Sequence, residues 1–354
     1  MSVTPLNESL DGLLQQVSRS FYLTLRILPV TVRPQIGLAY LLARTADTIA
    51  DTDLVPAEAR LTALQAYRER LLAQNSVILD FGALAGNQAS PAEAQLLQNA
   101  ECALAELQSF STADQHLIRE VLGTITSGQI LDLRRFSGLG TATAHPANTR
   151  IIALETGRDL DDYIYRVAGC VGEFWTKICR AHVFPEARLD DHQLMEDGIR
   201  FGKGLQLVNI LRDLPQDLKK NRCYLPMQRL DEASLFPEIL LSPVKQDEFR
   251  VLYHEYLDKA EGHLAAGWRY TNALPYGQFR VRLACAWPVL IGLRTIKKLR
   301  SASVSRLQQR VKLSRGEVWW VIFISSLTSP FPFFWRRLSA ASMVKAVASR
   351  EKLA

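Results

Sequence analysis

Most of the chain repeats apolar residues every three or four positions, the spacing of one buried helix face. The pattern predicts a first helix over 8–28, a break from Pro29 to Pro34, and a second helix from Arg33 through Asp51. Ala57 to Gln74 reads as an amphipathic helix with its charges on one side, and helix resumes from Ala92 to about Gln108 after a weakly patterned loop. A long helix over Thr112–Phe136 starts at an Asp/Ser/Thr cluster and stops at Gly138, and 138–148 is a loop. Further helices are expected over 159–180, across the run beginning at Gly202, over 242–276 as a polar outer helix, and over 279–300 as an apolar helix packing back on the core.

Two of these helices break their own apolar pattern. On the run Gly202–Asp217, Gln206, Asn209 and Asp213 fall at i, i+3 and i+7, one face of a helix, and Asp217 follows one turn later. Their neighbours Leu205, Leu207, Val208, Ile210 and Leu211 are apolar, so the helix is expected to be buried. Pro215 removes one backbone donor and leaves the last turn uncertain. Asp47 and Asp51 stand at i, i+4 on the other helix, again among apolar residues.

Buried carboxylates need partners, and two close together repel. A divalent cation relieves both costs, and oxygen-only ligands favour Mg²⁺ over Zn²⁺. A lone D-x-x-x-D pair is most often a solvated helix face. Two pairs on apolar helices, one preceded by Gln and Asn on its stripe, point instead to Mg²⁺ holding a diphosphate.

The residues resemble the squalene/phytoene synthase family, the head-to-head prenyl transferases of the all-α isoprenoid synthase fold. The resemblance lies in Ser18-Arg-Ser-Phe21, Arg44-Thr-Ala-Asp47 running on to Asp51, Tyr163-Ile-Tyr-Arg-Val-Ala-Gly169 with Gly172, and Gly204 to Asp213 running on to Asp217 and Arg222-Cys-Tyr-Leu-Pro226. It implies an all-α fold: a single large helical bundle of the isoprenoid synthase type over 1–300, with a central active-site cavity. It also implies metal ligation by Asp47, Asp51, Asn209, Asp213 and Asp217. Ser18, Ser20, Phe21, Arg44, Val167, Gly169, Gln206, Asn209, Arg212, Arg222 and Tyr224 would contact substrate. For Ser18 and Ser20, a hydroxyl bonding back to its own helical turn is the rival reading. Tyr163 would orient a diphosphate or take the proton lost on closing a cyclopropane, with the departing diphosphate as rival base.

By the same resemblance, two farnesyl diphosphates would condense with Mg²⁺ to presqualene diphosphate, which NADPH would reduce to squalene. Presqualene diphosphate, dehydrosqualene or phytoene without the reductive step remain alternatives, as does a membrane-bound assembly subunit. No G-x-G-x-x-G marks a Rossmann site, which this family is not expected to use.

Composition adds two points. Five cysteines without C-x-x-C spacing suit reduced thiols and exclude a zinc ribbon. The net charge of +6 is concentrated at the C-terminal end, where residues 297–354 hold twelve Lys/Arg against Glu317 and Glu351. There, 318–335 is uncharged and rich in Trp and Phe, flanked by Arg315 and by Arg336-Arg337. Residues 301–354 are therefore expected to form a membrane-associated tail on a cytoplasmic face rather than a nucleic-acid site. A surface anchor, a true span and a helix covering the core all fit the run, although Pro330 and Pro332 weigh against a span.

Overall fold

The computed structural model describes residues 6–18, 21–52, 54–88, 90–137, 151–242, 244–303, 307–308 and 311–340. Regular structure among them is helical apart from two strands of two residues each. The chain groups into two compact units, Met1–Ala142 with Glu173–Arg188, and Thr143–Gly172 with Leu189–Ala354.

In the first unit the helix Arg33–Asp51 is the hub. Pro34 sits in its first turn, where a missing N–H is harmless. Leu38, Leu41, Leu42 and Ile49 are fully buried against Thr112–Phe136, Ala57–Leu71, Pro91–Gln98 and Ala100–Leu107. Tyr67 donates to the Leu42 carbonyl at 2.9 Å, and Arg60 to the Ala50 carbonyl at 2.7 Å. Thr112–Phe136 starts where expected because the Ser111 hydroxyl accepts from the Asp114 N–H at 3.1 Å. The expected helix over 8–28 is instead Glu8–Ser18 and Phe21–Ile27. That over 92–108 is divided at Asn99 into Pro91–Gln98 and Ala100–Leu107, and Gly82–Gly86 forms a short helix within the expected loop. The loop expected over 138–148 lies outside the described residues.

In the second unit the central helix is Asp191–Lys219, capped by the Asp190 side chain accepting from the Gln193 N–H at 3.0 Å. It runs unbroken through Pro215. A residue with an N–H at 215 would donate to the Leu211 carbonyl; here the buried phenol of Tyr253 donates to that carbonyl instead, at 2.9 Å.

Tyr253 belongs to Gln246–Ala273, the helix expected to lie outside. It is instead a principal neighbour of the central helix and buries Leu257, Leu264, Trp268 and Tyr270. Its many polar residues occupy one face, and composition summed over 28 residues hides the apolar face opposite. Phe279–Ser301 packs on both helices, as expected of the apolar segment.

The helix expected over 159–180 is three pieces: Gly157–Ile164, a π-helical turn Tyr165–Gly169, and Cys170–His182. Against this turn the central helix makes a backbone-to-backbone crossing. A Cβ on Gly202 would fall 2.1 Å from the Ala168 carbonyl oxygen, and one on Gly172 would fall 1.9 Å from that of Gly198. No residue but glycine fits either position without moving backbone.

The tail run 318–335 is two helices, Arg315–Thr328 and Pro332–Ala340, interrupted at 329–331. Among the described residues no helix is long and apolar enough to cross a membrane, so the span reading is not met. The prolines end the first helix and start the second. Each helix turns one side inward: Trp287 donates to the Ser325 hydroxyl at 3.1 Å, and Trp335 stacks on Trp268 with ring centres 5.3 Å apart. On the other side Trp319, Trp320, Phe323, Leu327, Phe331, Phe333 and Phe334 are all more than half exposed.

Candidate functional site

The two aspartate pairs lie one in each unit. In the first unit Asp47 accepts a hydrogen bond from Gln129 Nε2 and stands 3.9 Å from Arg44 Nη1. Burial first, and the charge of Asp51 second, raise the Asp47 carboxyl to about 7; Arg44 and Gln129 pull it part of the way back. Its side chain still keeps 45 % of its surface accessible. Water thus reaches the tip of a carboxyl that protein otherwise surrounds closely, which tempers the shift. Asp51, the last residue of its helix, is exposed. Arg44 makes its short contact with Glu93, at 2.6 Å, rather than with Asp47.

Gln129 was not singled out from the sequence. Its signal was faint: one amide on the buried stripe Leu122, Ile125, Gly128, Gln129, Leu133. Ser18 donates to the Leu14 carbonyl at 2.5 Å within the core, which is the local helical bond that rivalled a substrate role. Ser20 and the Phe21 side chain lie outside the described residues.

In the second unit the central helix carries Gln206, Asn209, Arg212, Asp213 and Asp217 as a half-exposed polar stripe between buried Leu207, Val208, Ile210, Leu211 and Leu214. Helical continuity through Pro215 keeps Asp217 one turn beyond Asp213. The Arg212 guanidinium grips Asp213 through two nitrogens, at 3.0 and 2.5 Å. Asn209 Nδ2 lies 3.4 Å from Gln206 Oε1.

A short parallel ladder, Ile152 with Arg222 and Ala153 with Cys223, ties the segment after the central helix to the one before Gly157–Ile164. It brings Tyr224 onto Tyr163, with rings stacked 4.7 Å apart at 22° and both largely buried. The family resemblance implies a site role for both tyrosines, but nothing in their spacing foretold that they touch. Val167 and Gly169 lie in the π-helical turn, a local rearrangement that recurs at functional positions.

Among the described residues no group of three or more His, Cys, Asp or Glu side chains is gathered as a metal cage. The donors present are oxygens in pairs, which fits Mg²⁺, an ion that keeps waters and takes substrate phosphate oxygens to complete its shell. The raised Asp47 carboxyl supports that fit, since a nearby cation offsets both burial and the charge of Asp51.

Known proteins resemble the chain along most of its length. It is 25% identical to a presqualene diphosphate synthase of Zymomonas mobilis over 314 residues, 88% of this chain and 90% of the relative. A bifunctional lycopene cyclase/phytoene synthase of Gibberella fujikuroi is 39% identical over 109 residues, 30% of this chain; the chain spans 19% of that relative's length. The solved structure of TcSQS with the ligand BPH1237 superposes with a TM-score of 0.75 at 20% identity, covering 98% of this chain and 95% of that one. The sequence profile of squalene/phytoene synthases matches residues 14–317, and the chain belongs to that family.

Proposed function

We propose that the protein is a squalene synthase, condensing two molecules of farnesyl diphosphate head to head and reducing the product. The observation that carries the reading is the polar stripe Gln206, Asn209, Asp213, Asp217 on a buried helix, with a second carboxylate pair at Asp47 and Asp51. Mg²⁺ held by Asp47, Asp51, Asn209, Asp213 and Asp217 would neutralise diphosphate oxygens and make diphosphate a better leaving group.

In the first step the C–O bond to one diphosphate breaks, and the allylic cation left behind is attacked by a double bond of the second molecule. Loss of a proton closes a cyclopropane and gives presqualene diphosphate. Tyr163, which stacks on Tyr224, would orient a diphosphate or accept that proton, with the departing diphosphate as the rival base. Arg222, Lys219 and Lys220 follow Asp217 directly and supply positive charge for the departing diphosphate. In the second step the remaining diphosphate leaves and the skeleton rearranges; NADPH, when bound, would supply the hydride that quenches the cation. NADPH rests on the family resemblance and is assigned to no residue of this chain.

The relative from Zymomonas mobilis favours a second reading, in which the chain stops at presqualene diphosphate. The exposed rings of Arg315–Thr328 and Pro332–Ala340 support a further part of the proposal, that the enzyme works at a membrane surface, where an apolar product would dissolve. The test is incubation of purified protein with farnesyl diphosphate and Mg²⁺, with and without NADPH, followed by analysis of the lipid extract. Squalene formed only with NADPH supports the first reading, and presqualene diphosphate under both conditions supports the second. A C40 product from geranylgeranyl diphosphate overturns both.

A further inference from the structure

A cleft of about 380 Å³ opens at the end of Gln246–Ala273, lined by Asn272, Leu274, Tyr276, Arg282, Trp335 and Arg336 among others. Arg282 is the unusual member, only 8% exposed. One of its nitrogens donates to the carbonyls of Leu274 at 2.8 Å and Asn272 at 3.4 Å. Its guanidinium lies 5.4 Å from the Trp335 ring centre and 5.7 Å from that of Tyr276. Burial, and to a smaller extent the like charge of Arg336, hold it below the usual guanidinium range. Among the described residues no carboxylate pairs with Arg282 or with Arg336. Two arginines sharing a cleft without an acid, one of them buried, carry charge that the cleft itself does not balance, and an anion would balance it.

The surroundings say where that anion comes from. Phe331, Phe333 and Phe334 flank Pro332, Trp335 and Arg336 in sequence, and Phe279 follows Tyr276 by three residues; all four rings are more than half exposed. Arg337 stacks over Phe333 at 4.0 Å. Exposed aromatic rings beside basic side chains match the boundary between acyl chains and headgroups of an anionic bilayer. A soluble anion would use the arginines and leave the rings in water.

We infer that this cleft receives the phosphate of an anionic phospholipid headgroup while the neighbouring aromatic rings enter the bilayer surface. The inference rests on the membrane-surface reading above and adds a specific headgroup site to it.

Flotation of the full chain with vesicles of phosphatidylcholine alone, or of equal parts phosphatidylcholine and phosphatidylglycerol, tests it. Arg336→Gln, an exposed position, is expected to weaken binding to the anionic vesicles roughly fivefold, the effect of one basic residue at a charged surface, and to leave binding to neutral vesicles unchanged. Phe333→Ser with Phe334→Ser weakens binding to both. Equal affinity for the two vesicle types, or an Arg336→Gln variant that binds like the parent, overturns the headgroup site while leaving surface docking intact. Absence of binding to any vesicle overturns both. Tryptophan fluorescence that responds to inorganic phosphate without vesicles assigns the cleft to a soluble phosphate and overturns the lipid assignment; a response only to phosphatidylglycerol vesicles supports it.

Discussion

Replacing Tyr253 with phenylalanine tests how the central helix survives Pro215. The hydroxyl of Tyr253 reaches the Leu211 carbonyl at 2.9 Å, and both residues are buried. Removing the hydroxyl takes away the donor standing where an N–H at 215 would be. A buried carbonyl deprived of its donor costs about 1–3 kcal/mol. The loss falls on the turn that carries Asp217, two residues past the proline. Pro215→Ala puts an N–H back, so in that background Tyr253→Phe should cost only about 0.5 kcal/mol, the low end for a bond that another donor can replace. Urea unfolding of the four proteins, followed by circular dichroism, gives the cycle. A coupling of about 1–2 kcal/mol is expected, with prenyl transfer impaired in Tyr253→Phe and regained in the double variant. Effects that add to within about 0.3–0.5 kcal/mol would refute the reasoning, because uncoupled sites behave that way.

Gly202→Ala should destabilise by about 1–3 kcal/mol or more, since the new Cβ meets the Ala168 carbonyl oxygen at 2.1 Å and backbone must retreat; Gly262→Ala, exposed and with nothing within 4 Å, should stabilise its helix by about 0.5–1 kcal/mol, both read from urea midpoints. Asp213→Asn should lower turnover at least a hundredfold, the scale of losing one charge-stabilising group, while circular dichroism and vesicle binding persist. Trp335→Ala should cost about 3–5 kcal/mol of docking for the helix Pro332–Ala340, because a ring 2% exposed loses its stack on Trp268 and its bond to Asn272; proteolysis in the tail is the measure. His263 is held down to about 4 by burial first and then by Arg200, Lys259 and Lys203. The unfolded chain therefore binds a proton that the folded chain refuses between pH about 6.5 and about 4, and stability should fall as pH drops through that window; His263→Gln should flatten the slope in urea titrations.

The helices legible in the sequence were those whose local signals agree. Thr112–Phe136 has the bounds read from the sequence, with Ser111 capping its start and the Ser137 N–H closing its end on the Leu133 carbonyl. Arg33–Asp51 and the stripe Gln206, Asn209, Asp213, Asp217 were legible because polar residues on an apolar helix stand out at helical spacing. The break between Pro91–Gln98 and Ala100–Leu107, the π-helical turn and the burial of Gln246–Ala273 were not, since each depends on which neighbour packs where.

Sequence alone thus determined that the chain is helical, which stripes carry carboxylates, and where charge and aromatic residues gather. Periodicity, capping and composition are local properties, each settled within a few turns of chain. Only the folded chain decided that Gln129 meets Asp47, that Tyr163 stacks on Tyr224, that a phenol 38 residues away takes over the hydrogen bond Pro215 cannot make, and that Arg282 is buried beside Arg336. Those pairings join residues far apart in sequence, and the free energy of burying polar groups, which selects them, is defined only once the surrounding core exists.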